Sequence, residues 1–288
     1  MIKLIATDLD GTLLTSTRQI SARTIQILEA AREAGIWIVP ASGRQPFSIA
    51  DVVEGTFLDE GLVLGANGAV GYHLGRRELI FEELLSVEAQ TALYCALVQR
   101  FPGVRCASIR AGGAQYFPQF GYVGFMDPGD HVRGEELQEY PLEQVLDAPS
   151  VKLVVRSPEV APEDLLAACR DLNMEGVAPS ISGAAFLEVA AAGVDKASGL
   201  ARLVQSLGIE SHEVVAFGDN HNDIEMLSWA GLGVAMGNAV PEALAAANAI
   251  ALTNDEDGLA VFLEGLASKG WEPGYSQVPA EQLANQVP

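Results

Sequence analysis

Positive charge is scarce in this sequence. Only 17 lysines and arginines stand against 38 aspartates and glutamates, for a formal net charge of -21 over 288 residues. An acidic surface of this kind repels phosphate backbones, which excludes nucleic acid as a general partner. The same repulsion acts on any anionic small substrate, which would need a local positive patch or a metal in order to bind. Cysteine is scarcer still. Cys95, Cys106 and Cys169 fall at no metal-ligand spacing, and their odd number argues against a disulfide framework, so buried reduced thiols are expected. No stretch approaches the roughly 18 uninterrupted apolar residues of a membrane helix, so no membrane partner is expected. The first apolar run is broken at Asp8 and is too short for a signal peptide. These absences point to a soluble cytoplasmic protein, and no apolar stripe is legible that would separate a monomer from a small homo-oligomer.

Core material, by contrast, is abundant: 49% of residues are hydrophobic and 19% charged, enough for one large domain or two ordinary ones. The first 80 residues alternate strands and helices. "KLIAT" is a short apolar run suited to a strand buried on both faces. Ser21 is placed as the N-cap of "ARTIQILEAAREA", with Ile20 and Ile25 as a hydrophobic staple and Gly35 as the stop. "IWIVPASGR" gives a second buried strand, "FSIADVV" a helix and "LVLGANGAV" a third strand. From about residue 83 to 187 the texture changes to amphipathic helices ("SVEAQTALYCALVQRF", "APEDLLAACRDLN") and more alternating strands ("VRCASIRA", "VKLVVRS", "GAAFLEVA"). After residue 193 the first texture returns, with a helix after Asp195, a strand "EVVAFGD", a helix "NDIEMLSWA", a strand "LGVAMG" and an Ala-rich helix from Pro241. The pattern predicts a doubly wound parallel sheet over residues 1–82 and 188–270, interrupted by an inserted α+β domain at 83–187. The tail 271–288 has three prolines and no sustained period, and loose order is expected there.

Four clusters lie just past the ends of expected core strands or at the start of a core helix: Asp8 and Asp10; Ser42, Gly43 and Arg44; Lys196; and Asp219, Asn222 and Asp223. Ligands of open parallel sheets bind in the crevice outside the carboxyl ends of the strands. An Asp-x-Asp pair alone is an ordinary acidic turn. Here "IKLIATDLDGTLL" drives a buried strand into two carboxylates, whose repulsion should raise one pKa unless a cation offsets it. In "FGDNHND", N-capping would explain one acid but not why both acidic clusters meet at one sheet edge. Asp8, Asp10, Asp219 and Asp223 form an all-oxygen, hard-ligand set suited to magnesium. Ser42 offers a hydroxyl beside turn amides. Lys196 sits at a helix start, where a cation is mildly disfavoured, and so hints at a nearby anion.

In order and approximate spacing, "DLDGTLL", "SGR", Lys196 and "GDNHND" resemble the four signature motifs of the haloacid dehalogenase superfamily. The position of the insertion, together with "GANGA" around Asn67, resembles the Cof-type branch with a large type IIB cap. The resemblance covers residues 1 to about 270. It implies that Asp8 is the nucleophile forming an aspartyl-phosphate, and that Asp10 first protonates the leaving alcohol and then activates water. It also implies that Ser42 and Lys196 hold the phosphoryl oxygens with Asn222 nearby. Magnesium would be held by Asp8, the Asp10 main-chain carbonyl and Asp219, with Asp223 adjacent. Two departures stand out: Ser42 replaces the more frequent Thr, and Ala197-Ser198-Gly199 follows the lysine where the family usually has Gly first. Arg44 orients substrate or braces its loop, and Asn67 touches the phosphate edge or simply turns the chain with Gly68. His221 is an exposed helix-start residue, and the polar segment 126–134 is a surface loop before it is a substrate contact. The expected activity is magnesium-dependent hydrolysis of a small phosphorylated metabolite, with a sugar phosphate as the expected substrate. A sugar phosphomutase and a non-catalytic phosphate-binding regulator are the alternatives.

Overall fold

The computed structural model describes residues 1–126, 137–181 and 184–272. In chain order, the first segment runs β1 (Leu4–Thr7), α1 (Ala22–Glu33), β2 (Trp37–Pro40), α2 (Pro46–Val53), β3 (Leu62–Gly65), β4 (Val70–His73) and β5 (Glu78–Glu82). Then come α3 (Val87–Arg100), β6 (Arg105–Arg110), β7 (Gln115–Pro118), α4 (Leu142–Val145), β8 (Lys152–Arg156), α5 (Pro162–Leu172), β9 (Val177–Ser180) and β10 (Leu187–Ala191). The chain closes with α6 (Lys196–Leu207), β11 (Val214–Gly218), α7 (Ile224–Trp229), β12 (Leu232–Ala235), α8 (Pro241–Ala246), β13 (Ala249–Ile250) and α9 (Gly258–Ala267). None of the described helices is long and apolar enough to cross a membrane.

The core is a parallel sheet in the order β13-β12-β11-β1-β2. β1, β11 and β12 are buried along their whole length, which is why they read as unbroken apolar runs. Alternation divides their side chains between two layers. Ile5, Val215, Phe217 and Val234 pack with Leu28 of α1 and Leu259 and Leu263 of α9. Leu4, Ala6, Val214 and Ala216 pack with Leu200 and Leu203 of α6 and Met226 of α7. From β1 the chain moves to β2 on one side, and after the insertion it returns to β11 on the other. The switch point of the doubly wound sheet therefore lies between β1 and β11, and Asp8 and Asp219 are the residues that emerge there. Ser21 caps α1 by accepting from the Thr24 amide, and Gly35 ends it with φ of 82°.

The inserted segment forms a second, antiparallel sheet in the order β7-β6-β8-β10-β9. Its outer face packs Cys106, Leu153, Val155, Leu187 and Val189 under α3 and α5. Its inner face turns Ala107, Ile109 and Val154 toward Ala66, Ala69 and Val70 of the core.

Several expectations need correction. The stretch "LVLGANGAV" is two strands, not one, because Asn67 sits in the left-handed region (φ 54°, ψ 36°) and reverses the chain between β3 and β4. Asn is among the few non-glycine residues that adopt this conformation readily. β3, β4 and β5 form a third, antiparallel sheet, joined to the core by the bridge Ala41–Leu64. The second sheet runs through Ala191, beyond the expected boundary at 187, because β10 pairs with both β8 and β9. Packing also continues into the expected loose tail. Trp271 is 9% exposed within the core layer, and its carbonyl accepts from the Ile2 amide at 2.9 Å. Residues 273–288 and 127–134 lie outside the described residues. Cys106 and Cys169 are buried, but Cys95 is exposed: it lies about a quarter turn round α3 from inward-facing Tyr94.

Candidate active site

Past β1 the chain turns sharply at Gly11 (φ 84°), where an added Cβ would collide with the Asp219 carboxylate. The turn delivers the Thr12 hydroxyl to Asp219 Oδ1 at 2.7 Å. Lys196 enters from the far end of the sequence as the first residue of α6. That helix is fixed by a capping box: the Asp195 side chain accepts from the Ser198 amide at 2.7 Å, and the Ser198 hydroxyl bonds back. Lys196 is fully buried, and its ammonium donates to Asp8 Oδ1 at 2.5 Å and to Asp223 Oδ1 at 2.6 Å. The other Asp223 oxygen accepts from the Asp219 and Asn220 amides at 2.9 and 3.0 Å. Asp223 is thus saturated by a lysine and two main-chain donors. Among the described residues no hydrogen bond reaches Asp8 Oδ2 or Asp219 Oδ2.

Positive charge is what this arrangement lacks. Asp8, Asp219 and Asp223 each place a ligand oxygen within 4.8 Å of the others. Their three negative charges meet the single positive charge of Lys196, which leaves an excess of two. Burial raises the Asp8 carboxyl well above the ordinary range; Lys196 opposes this, and Asp223 and Asp219 add to it. Burial, with Asp223 next, pushes Asp219 up to about 6, against the Thr12 hydrogen bond. Burial alone would depress the Lys196 ammonium, but Asp223 and Asp8 outweigh it and hold the group above the usual lysine range. Two bare carboxylate oxygens and two surplus charges fit a hard divalent cation. Asp8 and Asp219 are the side chains able to hold it, with Asp223 braced behind them.

The structure places the other expected residues as follows. The Asp10 carboxylate, whose charge adds to the rise of Asp219, is not one of the three that share the acidic cluster. Arg44 grips both its oxygens, Nε to Oδ2 at 2.7 Å and Nη2 to Oδ1 at 2.5 Å. Asp10 is 49% exposed while Arg44 is buried, so the arginine holds the acid at the mouth of the site. Ser42 is buried; its hydroxyl oxygen accepts from the Arg44 amide at 3.2 Å. Asn222 donates to Asn67 Oδ1 at 3.0 Å. His221 is exposed, as expected. The unusual order after Lys196 also has a physical reason: Gly199 lies against Gly68, where an added Cβ would come within 2.7 Å of the Gly68 Cα.

Sequence reasoning missed Thr12, Lys152 and Glu188. Lys152 on β8 is 4% exposed and Glu188 on β10 is 2% exposed, and the two form an ion pair. Lys152 also donates to the Gly43 carbonyl at 2.8 Å, and Glu188 Oε2 accepts from Asn67 Nδ2 at 3.0 Å. The available signal was one charge inside each apolar strand, in "VKLVV" and "FLEVA"; a charge buried there has to be paired. A cleft of about 170 Å³ opens beside Asn67, Asn222 and Lys196, with Leu166, Ser180 and Ile181 on the side of the inserted sheet.

A family model for haloacid dehalogenase-like hydrolases matches residues 5–263. The Bacillus subtilis protein YxeH is 31% identical over 281 residues, covering 90% of this chain and 96% of its own. A second B. subtilis protein, the 5-amino-6-(5-phospho-D-ribitylamino)uracil phosphatase YcsE, is 28% identical over 90% of this chain and 93% of its own. Among solved structures, a haloacid dehalogenase-like hydrolase from Bacteroides thetaiotaomicron superposes with a TM-score of 0.71 at 30% identity, covering 92% of this chain and all of that one.

Proposed function

This chain belongs to the haloacid dehalogenase-like hydrolases and is a phosphatase of that superfamily; from that premise we propose that it is a cytoplasmic, magnesium-dependent enzyme acting on a small sugar or sugar-alcohol phosphate. The observation that carries the reading is the asymmetry of Asp8. One oxygen is pinned by Lys196 and the other is bare, beside Asp219, at the switch point of the sheet. A carboxylate is a poor nucleophile toward a phosphate dianion until the shared negative charge is neutralised. Lys196 supplies part of that neutralisation. A cation held by Asp8, Asp219 and the Asp10 main-chain carbonyl would supply the rest by withdrawing charge from the phosphoryl oxygens.

An Asp8 carboxylate oxygen attacks phosphorus in line, the bond to the ester oxygen breaks, and Asp10, released from Arg44 and protonated once substrate is bound, gives its proton to the departing alkoxide. Asp10 then takes a proton from water as that water attacks the aspartyl-phosphate, which releases inorganic phosphate and restores Asp8. General acid–base work of this kind is worth roughly 10²–10⁴-fold in rate. The Ser42 hydroxyl and Lys196 hold phosphoryl oxygens through both steps. The segment carrying β6 to β10 acts as a cap over the site, excluding bulk water. The ribityl phosphate in the name of the relative YcsE supports a polyol-like leaving group.

The test is phosphate release from a panel of sugar and sugar-alcohol phosphates and a chromogenic aryl phosphate. It is run with magnesium, with chelator, and with Asp8→Asn. Turnover that requires both the metal and Asp8 is expected. Turnover that survives Asp8→Asn, or a folded protein that binds magnesium yet turns over nothing on the panel, would overturn the reading.

A further inference from the structure

A charged pair buried in the cap is the part of the molecule that the phosphatase chemistry leaves unused. Strand alternation puts Lys152, Val154 and Arg156 of β8 on the face opposite Leu153 and Val155, and puts Glu188 opposite Leu187 and Val189. Lys152 and Glu188 therefore point at the core, where both are almost fully enclosed. An ion pair taken so far out of water gains little stability over an apolar pair of the same shape. Its partners suggest another use, because Lys152 also bonds the Gly43 carbonyl and Glu188 also bonds Asn67, both on the phosphate-binding side of the core.

Consider first the Gly43–Arg44 peptide. Lys152 Nζ pulls on its carbonyl at 2.8 Å, and the amide of the same trans peptide points the opposite way, to Ser42 Oγ at 3.2 Å. With its acceptor side occupied, the Ser42 hydroxyl has its one proton to give elsewhere. Consider next the Asn67 amide. An ionised carboxylate only accepts, so Glu188 fixes which end of Asn67 carries the NH₂. Asn67 Oδ1 must then face Asn222 Nδ2, and it does, at 3.0 Å. The fit leaves little slack: a Cβ on Gly43 would stand 3.0 Å from Asn67 Oδ1 and 3.4 Å from Glu188 Oε2.

We propose that Lys152 and Glu188 are positioning residues of the phosphatase: one ion pair on the cap orients both the Ser42 loop and the Asn67–Asn222 amides, so that the phosphate cradle is complete only when the cap is seated. This inference rests on the phosphatase reading given above. It goes further by assigning a role in binding the phosphoryl group to cap residues that never touch the reacting atoms.

The experiment compares wild type with Lys152→Met, Glu188→Gln and the double variant. It measures kcat and KM with an aryl phosphate and magnesium, and inorganic phosphate binding by calorimetry. Misplacing a binding group by about 1 Å costs on the order of 10²-fold. Each single variant is expected to weaken phosphate binding and lower kcat/KM by about 10- to 100-fold, and the double variant to be no worse than the worse single one, since the pair acts as a unit. Variants that lose thermal stability but, once folded, bind phosphate and turn over within about twofold of wild type would overturn the proposal, and so would additive losses. If Lys152→Met does not fold, Glu188→Asp keeps the charge but withdraws it from Asn67, and the same loss of phosphate affinity is expected. A wild type that binds phosphate but has no turnover sinks the phosphatase reading alone, and the variants' phosphate affinities then decide this proposal. A wild type that binds no phosphate overturns both.

Discussion

Asp219 is held in its ionised form against its surroundings, and Asp219→Asn should therefore make the metal-free protein more stable while destroying its affinity for the cation. Burial and the neighbouring Asp223 raise this carboxyl from 3.8 to about 6. At about 1.4 kcal/mol per pH unit, that displacement caps the cost of ionising it in the folded state at about 3 kcal/mol. The residue is only half-buried, so solvent screening reduces the gain to about 1–2 kcal/mol. Asparagine keeps an oxygen for the Thr12 hydroxyl, so the one hydrogen bond that opposes the upward displacement survives.

The sign follows from linkage. A folded-state pKa above the unfolded one means that the native protein holds its proton more tightly, so stability falls as pH rises from 3.8 through about 6. In chelator at pH 7.5, Asp219→Asn should melt higher by roughly 2–4 °C per kcal/mol gained. The advantage should shrink below pH 6 and vanish near pH 4, where wild-type Asp219 takes up its own proton. Adding magnesium at pH 7.5 should reverse the order, stabilising wild type and leaving the variant unmoved. A variant less stable than wild type in chelator at pH 7.5, or a gain that does not change with pH, would refute the account of the site as an uncompensated acidic cluster.

Lys196→Met removes the only cation that touches Asp8 and Asp223 among the described residues; urea unfolding should show a loss of about 3–5 kcal/mol, and turnover should disappear. In that variant, magnesium should recover more stability than it adds to wild type, which a melting series with and without the metal would show. Gly68→Ala forces a side chain onto a residue with φ of 99° and into the Asp195 carbonyl, so α6 must shift and carry Lys196 with it. Reduced expression or a much lower melting point is expected, together with lower kcat in whatever folds. Trp271→Ala removes a core side chain next to the first strand and should cost about 3–5 kcal/mol in chemical unfolding, which tests whether packing extends to that residue.

The parallel core was legible because strands buried on both faces must be apolar throughout, and β1, β11 and β12 carry no other plausible reading. The acidic clusters were legible because the switch point of a doubly wound sheet collects whatever follows its central strands. Pairings made across long stretches of chain were not. Nothing local in "SGR" says that Arg44 reaches Asp10, a contact that spans 34 residues of sequence. Asn67 could be read as a turn or as a phosphate contact, and nothing local shows that its side chain bonds both Asn222 and Glu188 of the inserted sheet. Lys152 and Glu188 escaped for a different reason. In an alternating strand a single charge reads as the solvent face, and only the packing of that face against Ala66, Ala69 and Val70 shows it to be interior.

The scarcity of positive charge over the whole molecule then becomes a question of range. At physiological ionic strength, exposed charges are screened within about 8 Å, so the acidic surface at large weighs little on a phosphate already inside the crevice. On the function proposed above, what that phosphate would meet is local: Lys196, the Ser42 hydroxyl and the first turn of α6, set against three carboxylates. Without a cation those carboxylates would repel it. With one, the two surplus negative charges are balanced and Asp8 is left with a neutralised field in front of its bare oxygen. The same imbalance that costs the fold when no cation balances it would thus make phosphate binding conditional on a metal. Phosphate affinity measured by calorimetry should accordingly fall to near zero in chelator for wild type, whereas Asp219→Asn, with one carboxylate fewer, should retain weak metal-independent binding.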